Sequence, residues 1–394
     1  MKSEQTHEAT HRSGDADFAE RPATRSEAEP GRTAPSGRLL SIDALRGFDM
    51  FWIIGGDALF HAIARWVKTP WTAWVATQLE HVEWEGFRFY DLIFPLFLFL
   101  VGVVLPFSLA KQENRKTAHL RILRRTLALV ALGLVCNGIL QFQWSDLRWA
   151  GVLQRIGICY GIGALIVLHA PRWMVWAVIP LIWTFYAAIF QVSWLPGQPA
   201  NDYSKSGNIA GWVDRHYLPG KILEPYYGDG DNEGILSTIP AVTTVLLGAC
   251  AGFVLRGVAN PAGKVARLLG MGVAGLLLGG VLGMYIPVIK NLWTPSFVLI
   301  AGGWSLLLLG SFYGVIDVLG YRRWAFPFVV IGVNAITIYV VPNFVDFEQM
   351  SRFWFGGLAA HAGSAGAVIL SGGVLVLEWL FLYALYRNRW YLRV

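Results

Sequence analysis

The chain has 394 residues, of which 55% are hydrophobic and only 15% charged, where a soluble protein carries about 25% charged residues. A mean hydropathy of +0.47 excludes a water-soluble globular enzyme, a disordered protein and a nucleic-acid binder. The net charge of +6 is therefore read through where the basic residues fall, as in a membrane protein.

Residues 1–38 are polar, with Phe18 almost the only large apolar side chain, and predict a disordered cytoplasmic tail. The tail has no apolar core and does not read as a cleaved signal peptide. From Leu39 onward, apolar runs of about 20 residues, the length that spans a bilayer, recur to form one all-α transmembrane domain, 39–394. The predicted spans are 39–63, 90–110, 120–140, 151–169, 172–192, 234–256, 265–288, 292–316, 325–345 and 365–387, ten helices in all.

The connecting loops alternate in charge. Lys111, Arg115, Lys116, Arg121, Arg124 and Arg125, then Arg172, then Arg256, Lys264 and Arg267, then Arg322 and Arg323 mark one side, with Arg387, Arg389 and Arg393 at the C-terminus. Glu80, Glu83 and Glu85, Asp146, the stretch from Asp202 through Asp214, Glu224, Asp229 and Asp231 to Glu233, and Asp346 with Glu348 mark the other. The Lys/Arg bias predicts that both termini are cytoplasmic. The outer loops 64–89 and 193–233 are too long to be simple connectors and read as functional. Many of the eighteen Trp lie on that side, where Trp anchors helices at the interface. Cys136, Cys159 and Cys250 lie in apolar runs, and neither a disulfide framework nor a metal site is expected. The small-residue pairs at Gly157 and Gly161, and at Gly275, Gly279 and Gly283, predict close helix packing and offer a homodimer contact.

The first helix carries Asp43, Arg46, Asp49, Asp57 and His61. At about 100° per residue, Asp43, Arg46, Met50, Asp57 and His61 share a sector roughly 60° wide, and Asp43 lies roughly 21 Å from Asp57 along the axis. Asp43 and Arg46, spaced i,i+3, are as well explained by mutual neutralisation. Asp57 has only His61 in its own helix and is the stronger functional candidate. His81, in the loop ahead of the second helix, suits a general base. Gln154 and Arg155 open the fourth helix, with Asp91 or Asp57 as the expected partner of Arg155. Asn232, Glu233, Lys290 and Asn291 lie at outer helix ends, and Asn334 lies within the ninth helix. Arg124 and Arg125 either dock an anion or simply mark the cytoplasmic face. No Walker loop, dinucleotide fingerprint or zinc signature is present.

Five segments in order then resemble one family. They are Ser41-Ile42-Asp43-Ala44-Leu45-Arg46-Gly47; His81-x-x-Trp84-x-Gly86 followed by Asp91-Leu92-Ile93-Phe94-Pro95; Gly151-Val152-Leu153-Gln154-Arg155-Ile156-Gly157; Glu233 to Ile239; and Lys290-Asn291-Leu292-Trp293. Together they resemble the heparan-α-glucosaminide N-acetyltransferase family, through bacterial relatives labelled as N-acetylglucosamine-related transporters. The resemblance implies acetyl-CoA as cytoplasmic donor, an amino-sugar acceptor on the other side, and His81 as the catalytic histidine on the periplasmic face of a bacterial inner membrane. It places Asp57 where the animal enzyme has Asn.

Two functions follow. In the first, an acetyl-CoA-dependent N-acyltransferase, the pantetheine arm lies along the Asp43–Asp57 stripe. His81 acts as base or as acetyl carrier, Asp57 orients the amine, and Arg155, Asn291 or Asn334 stabilises the oxyanion. In the second, a proton-coupled amino-sugar transporter, Asp57, His61 and Arg155 form a relay, although the sequence shows no inverted repeat. Acetyl-CoA binding separates the two.

Overall fold

The computed structural model describes residues 39–110, 114–194, 199–222 and 230–391. The tail 1–38 and the loop charges Lys111, Glu224, Asp229 and Arg393 lie outside the described residues. The described chain is all-α, and among the described residues the only β-pairings are two isolated bridges, Glu85 with Ile289 and Arg148 with Gly220.

The elements are α1 (Leu40–Phe51), a π turn (Trp52–Gly56), α2 (Asp57–Trp66), α3 (Pro70–Gln78), a 3₁₀ turn (Phe89–Leu92) running into α4 (Ile93–Leu109), α5 (Arg115–Cys136), α6 (Val152–His169) and α7 (Arg172–Phe190). There follow α8 (Ile209–Tyr217), α9 (Ile235–Arg256), α10 (Pro261–Gly283), α11 (Pro295–Phe312) with a π turn (Tyr313–Val318), α12 (Phe326–Gly332), α13 (Ala335–Val340), α14 (Phe347–His361) and α15 (Gly366–Arg387). Each expected span coincides with a helix or a broken helix. Among the described residues, seven helices are long and apolar enough to cross a membrane, or eight if the pair 323–332 and 335–343, bent by 61°, is one span. The remaining two expected spans carry charge: α1 and α2 hold Asp43, Arg46, Asp49 and Asp57, and α5 begins with a run of basic residues through Arg125.

Burial orders the bundle. In α9, 72% of the span is inside the protein and in the span through α4 61%, against 22% for α10 and 17% for the span through α15. The two former helices form the centre, and α10 and α15 the rim. The glycine pairs act as packing contacts: Gly157 and Gly161 face Thr126 of α5, and Gly275 and Gly279 face Leu299, Ile300 and Gly303 of α11.

Side-chain contacts group the loops into two ends. At the basic end, the Asp317 carboxylate accepts from the N–H groups of Leu40 (3.3 Å) and Ser41 (3.1 Å), satisfying two orphan donors of α1. Arg256 there donates to the carbonyl of Pro106. At the other end, Gly86 N–H donates to Val288 O (2.8 Å) and the Trp84 indole to Tyr203 O (2.9 Å).

The first motif ends on Gly47 because α1 and α12 touch backbone to backbone. A Cβ on Gly47 would lie 1.7 Å from Phe328 O, and one on Gly332 would lie 1.9 Å from Asp43 O. Gly47→Ala must push these helices apart, with an expected loss of at least about 1–3 kcal/mol. Thermal melting of purified protein checks this, and an unchanged midpoint would contradict the contact.

Candidate active site

The loop between α3 and α4 wraps around one carboxylate. Asp91 is fully buried, and its Oδ2 accepts the backbone N–H groups of Arg88 (3.1 Å) and Val82 (3.4 Å). Its Oδ1 lies 2.8 Å from His81 Nδ1. Since a carboxylate only accepts, Nδ1 carries the proton in this pairing, and the basic lone pair of the neutral ring resides on Nε2. The loop is anchored twice more, by the Gly86 and Trp84 bonds already described.

Lys290 comes from the connection between α10 and α11. Its Nζ lies 2.9 Å from His81 Nδ1, 3.2 Å from Nε2 and 3.4 Å from Asp91 Oδ1. Burial pushes its ammonium below the usual lysine range, against the opposing pull of Asp91. The connection is pinned by Tyr186, whose hydroxyl donates to Leu292 O (2.7 Å). Trp293 adopts a left-handed φ of 53°, a conformation costly for an aromatic residue and retained where packing over-determines it. Its buried indole donates to Thr244 Oγ1 (3.0 Å), and the Arg155 guanidinium lies over the ring at 5.1 Å.

His81, Lys290, Asn291, Glu233 and Trp293 line one cavity of about 200 Å³, closed elsewhere by Met50 and Ile53 of the first span and by Phe94, Leu153 and Tyr339. Asp57 does not line it. Its Oδ2 accepts the Tyr90 hydroxyl (2.9 Å), and the Tyr90 ring lies 4.9 Å from the His81 ring. The structure thus joins Asp57 to His81 through Tyr90 rather than directly. The expected stripe through Asp57 and His61 assumed an unbroken helix. The π turn at Trp52–Gly56, with Gly55 at φ 122°, breaks the 100° register, so Met50 and Ile53 face the cavity and Asp57 does not.

The other candidates divide. Arg155 pairs with neither Asp91 nor Asp57. It bonds Ser237 Oγ and Gly234 O, and its Nε and Nη1 are buried without a partner. Gln154 is buried against Gly133 and Gly151. Asn334 is buried at the bend between α12 and α13 with neither amide atom bonded, yet it lines neither this cavity nor the next. Glu233 is held by Arg148, which also takes Asp231 at 2.6 Å. Burial alone would lower Arg148, and Asp231 and Glu233 together raise it instead. Beneath them, Asp214 accepts from Ile235 N (2.8 Å) and Asp231 N (3.2 Å), and burial pushes its carboxyl up to about 6 despite those bonds. His216 stacks on Trp212 and His361 is exposed at the end of α14, both outside the cavity.

A second cavity of about 260 Å³ shares Phe97, Leu153, Ile156 and Ile336 with the first and continues toward the basic end. Its polar lining is Arg46 and Arg125. Arg46 lies 3.6 Å from Asp43, while Arg125 crosses the Tyr160 ring at 4.6 Å and keeps a buried Nε without a partner. Arg124 is exposed and lines neither cavity. Two adjoining cavities, separated by a single layer of mostly apolar side chains, therefore have guanidinium groups at one end and a His–Asp–Lys cluster at the other.

Residues 38–199 match the family model described as "Heparan-alpha-glucosaminide N-acetyltransferase, catalytic". The chain is 26% identical over 372 residues to the human protein named heparan-alpha-glucosaminide N-acetyltransferase, covering 77% of this chain and 52% of that protein. It is 24% identical over 433 residues to the mouse protein of that name, covering 92% and 61%. Over residues 38–199 the chain is thus similar to the catalytic domain of the heparan-alpha-glucosaminide N-acetyltransferases. The chain spans between about half and three-fifths of the length of these relatives. The family match contains His81 and Asp91, whereas Glu233 and Lys290 lie beyond it.

Sequence reasoning missed Tyr90, Arg148 and Asp231. Tyr90 adjoins Asp91 and was legible only as an aromatic neighbour. Arg148 meets Asp231 across 83 residues, a pairing that one sequence does not reveal. Trp293 was read as part of a motif, without a role.

Proposed function

We propose that this chain transfers an acetyl group from acetyl-CoA, admitted at the Arg46–Arg125 end, to an amine acceptor arriving at His81. The observation that carries the reading is a pair of adjoining cavities, one reaching the half-buried Arg125 with its unbonded Nε and the other reaching His81, which pairs with Asp91. Arg46 and Arg125 fit the phosphates of the donor, and Phe97, Leu153, Ile156 and Ile336 fit its uncharged arm. His81 Nε2 takes the proton of the attacking amine, and Asp91 stabilises the resulting imidazolium. Lys290 and Asn291 donate toward the developing oxyanion. As the C–N bond forms and the C–S bond breaks, His81 returns the proton to the leaving thiolate. Glu233, held in place by Arg148, faces the acceptor side of the cavity and accepts hydrogen bonds from the acceptor's hydroxyls.

In this reading the basic end is cytoplasmic, the His81 end lies across a bacterial plasma membrane, and the acceptor is an amino sugar. Tyr90 transmits the charge of Asp57 to the His81 ring, making Asp57 a positioning residue.

The test is donor binding. Saturating acetyl-CoA should raise the melting temperature, since a ligand at a hundred times its Kd contributes about 2.7 kcal/mol. Arg125→Ala should lose most of that shift. A wild-type protein indifferent to acetyl-CoA would sink the reading and leave amino-sugar transport in its place.

A further inference from the structure

A third cavity, of about 900 Å³, lies between the π turn of the first span, α13, α14 and α15. Ile53 and Tyr339 line both it and the His81 cavity, so the two are separated by a single layer of side chains. Its inner end is formed by Glu378, just over three turns into α15, in a row with Ser371 and Val374. Glu378 is 3% exposed, and its Oε2 has no hydrogen-bond partner. A carboxylate within a membrane span is costly unless it meets a cation or lies on a ligand path. Among the described residues, the only basic side chain lining this cavity, Arg352, is paired with Glu348 at 3.1 Å. Asp346, also lining the cavity, is occupied in capping α14 through Gln349 N at 2.8 Å. The lining is thus net acidic, with one buried acceptor left over and hydroxyls from Ser351 and Ser371 beside it. The Ser351 hydroxyl spends its proton on Leu370 O (2.7 Å) and so presents lone pairs to the cavity.

We infer that this cavity binds a hydroxylated primary amine, its ammonium on Glu378 and its hydroxyls on the serine side chains. Apolar walls from Ile54, Val374 and Leu370 suit the carbon face of a sugar ring, and the volume exceeds that of the His81 cavity, as an acceptor larger than a two-carbon acyl group requires. That this amine is the acetyl acceptor, held one side-chain layer from His81, rests on the acetyl-transfer reading. The site itself does not, because its occupancy is measured without acetyl-CoA.

The experiment is calorimetric titration of the purified full chain with glucosamine, and with N-acetylglucosamine as the neutral control, in the absence of acetyl-CoA. Wild type should bind glucosamine and discriminate against the acetylated sugar. Glu378→Gln, which keeps the shape and removes the acidic group, should weaken glucosamine at least tenfold. Val374→Trp, which fills the cavity away from His81, should abolish binding. Wild type that does not bind glucosamine, or equal binding by all three proteins, overturns the inference. Acetyl-CoA stabilisation of the same three samples, read separately, shows whether the transfer reading stands or falls on its own.

Discussion

His81→Ala is expected to lower acetyl transfer by on the order of 10²- to 10⁴-fold, the usual contribution of a positioned general base, while leaving the fold and donor binding in place. The fold is retained because the His81 side chain is over one-third exposed and the loop is anchored by Asp91, Trp84 and Gly86 rather than by the imidazole. Donor affinity is retained because the donor's phosphates are assigned to Arg46 and Arg125, which line the adjoining cavity and not the one at His81. The measurement is turnover with saturating acetyl-CoA, alongside the acetyl-CoA melting shift. Turnover within a few-fold of wild type would remove His81 from the chemistry.

Asp91→Asn is expected to cost as much in turnover for a different reason. The backbone donors of Val82 and Arg88 face Oδ2, so the amide oxygen of Asn is drawn there and its NH₂ is turned toward His81 Nδ1. Nδ1 must then accept, the ring proton moves to Nε2, and the basic lone pair is lost from the atom assigned to the amine. The same amide also repels Lys290, which lies 3.4 Å from the carboxylate in wild type. The expected loss is on the order of 10²- to 10⁴-fold in kcat with KM nearly unchanged, because the interaction acts in the transition state. A variant that lost only KM would show that Asp91 binds substrate and does not orient the histidine.

The legible and the hidden parts of this molecule differ in physical kind. Span positions were readable because a bilayer imposes a length of about 20 apolar residues, and every expected segment from 39–63 to 365–387 contains a helix or broken helix. The polar stripe on the first span was readable only as far as Met50. Beyond it, Gly55 at φ 122° changes the helical register, and the sequence marks this only as two adjacent glycines. Helix α14 was not expected, because its residues were read as a connector between spans. Arg155 was assigned a carboxylate partner on charge alone, yet it rests on Ser237 and the Trp293 ring. At the candidate site, His81 and Lys290 were named separately, 209 residues apart, and their contact at 2.9 Å is a product of the fold. Arg148, Asp231 and Tyr90 belong to the same class of long-range contact.

The account's central claim is an acetyl group handed from the basic end of the bundle to an amine at the His81 end. It is tested most directly in sealed proteoliposomes of uniform orientation, with isotope-labelled acetyl-CoA supplied only to the basic end and glucosamine only to the other. Mass spectrometry should find labelled N-acetylglucosamine in the glucosamine compartment, and none with His81→Ala. Glucosamine recovered unmodified on the opposite side, with acetyl-CoA unconsumed, would contradict transfer and make this a transporter.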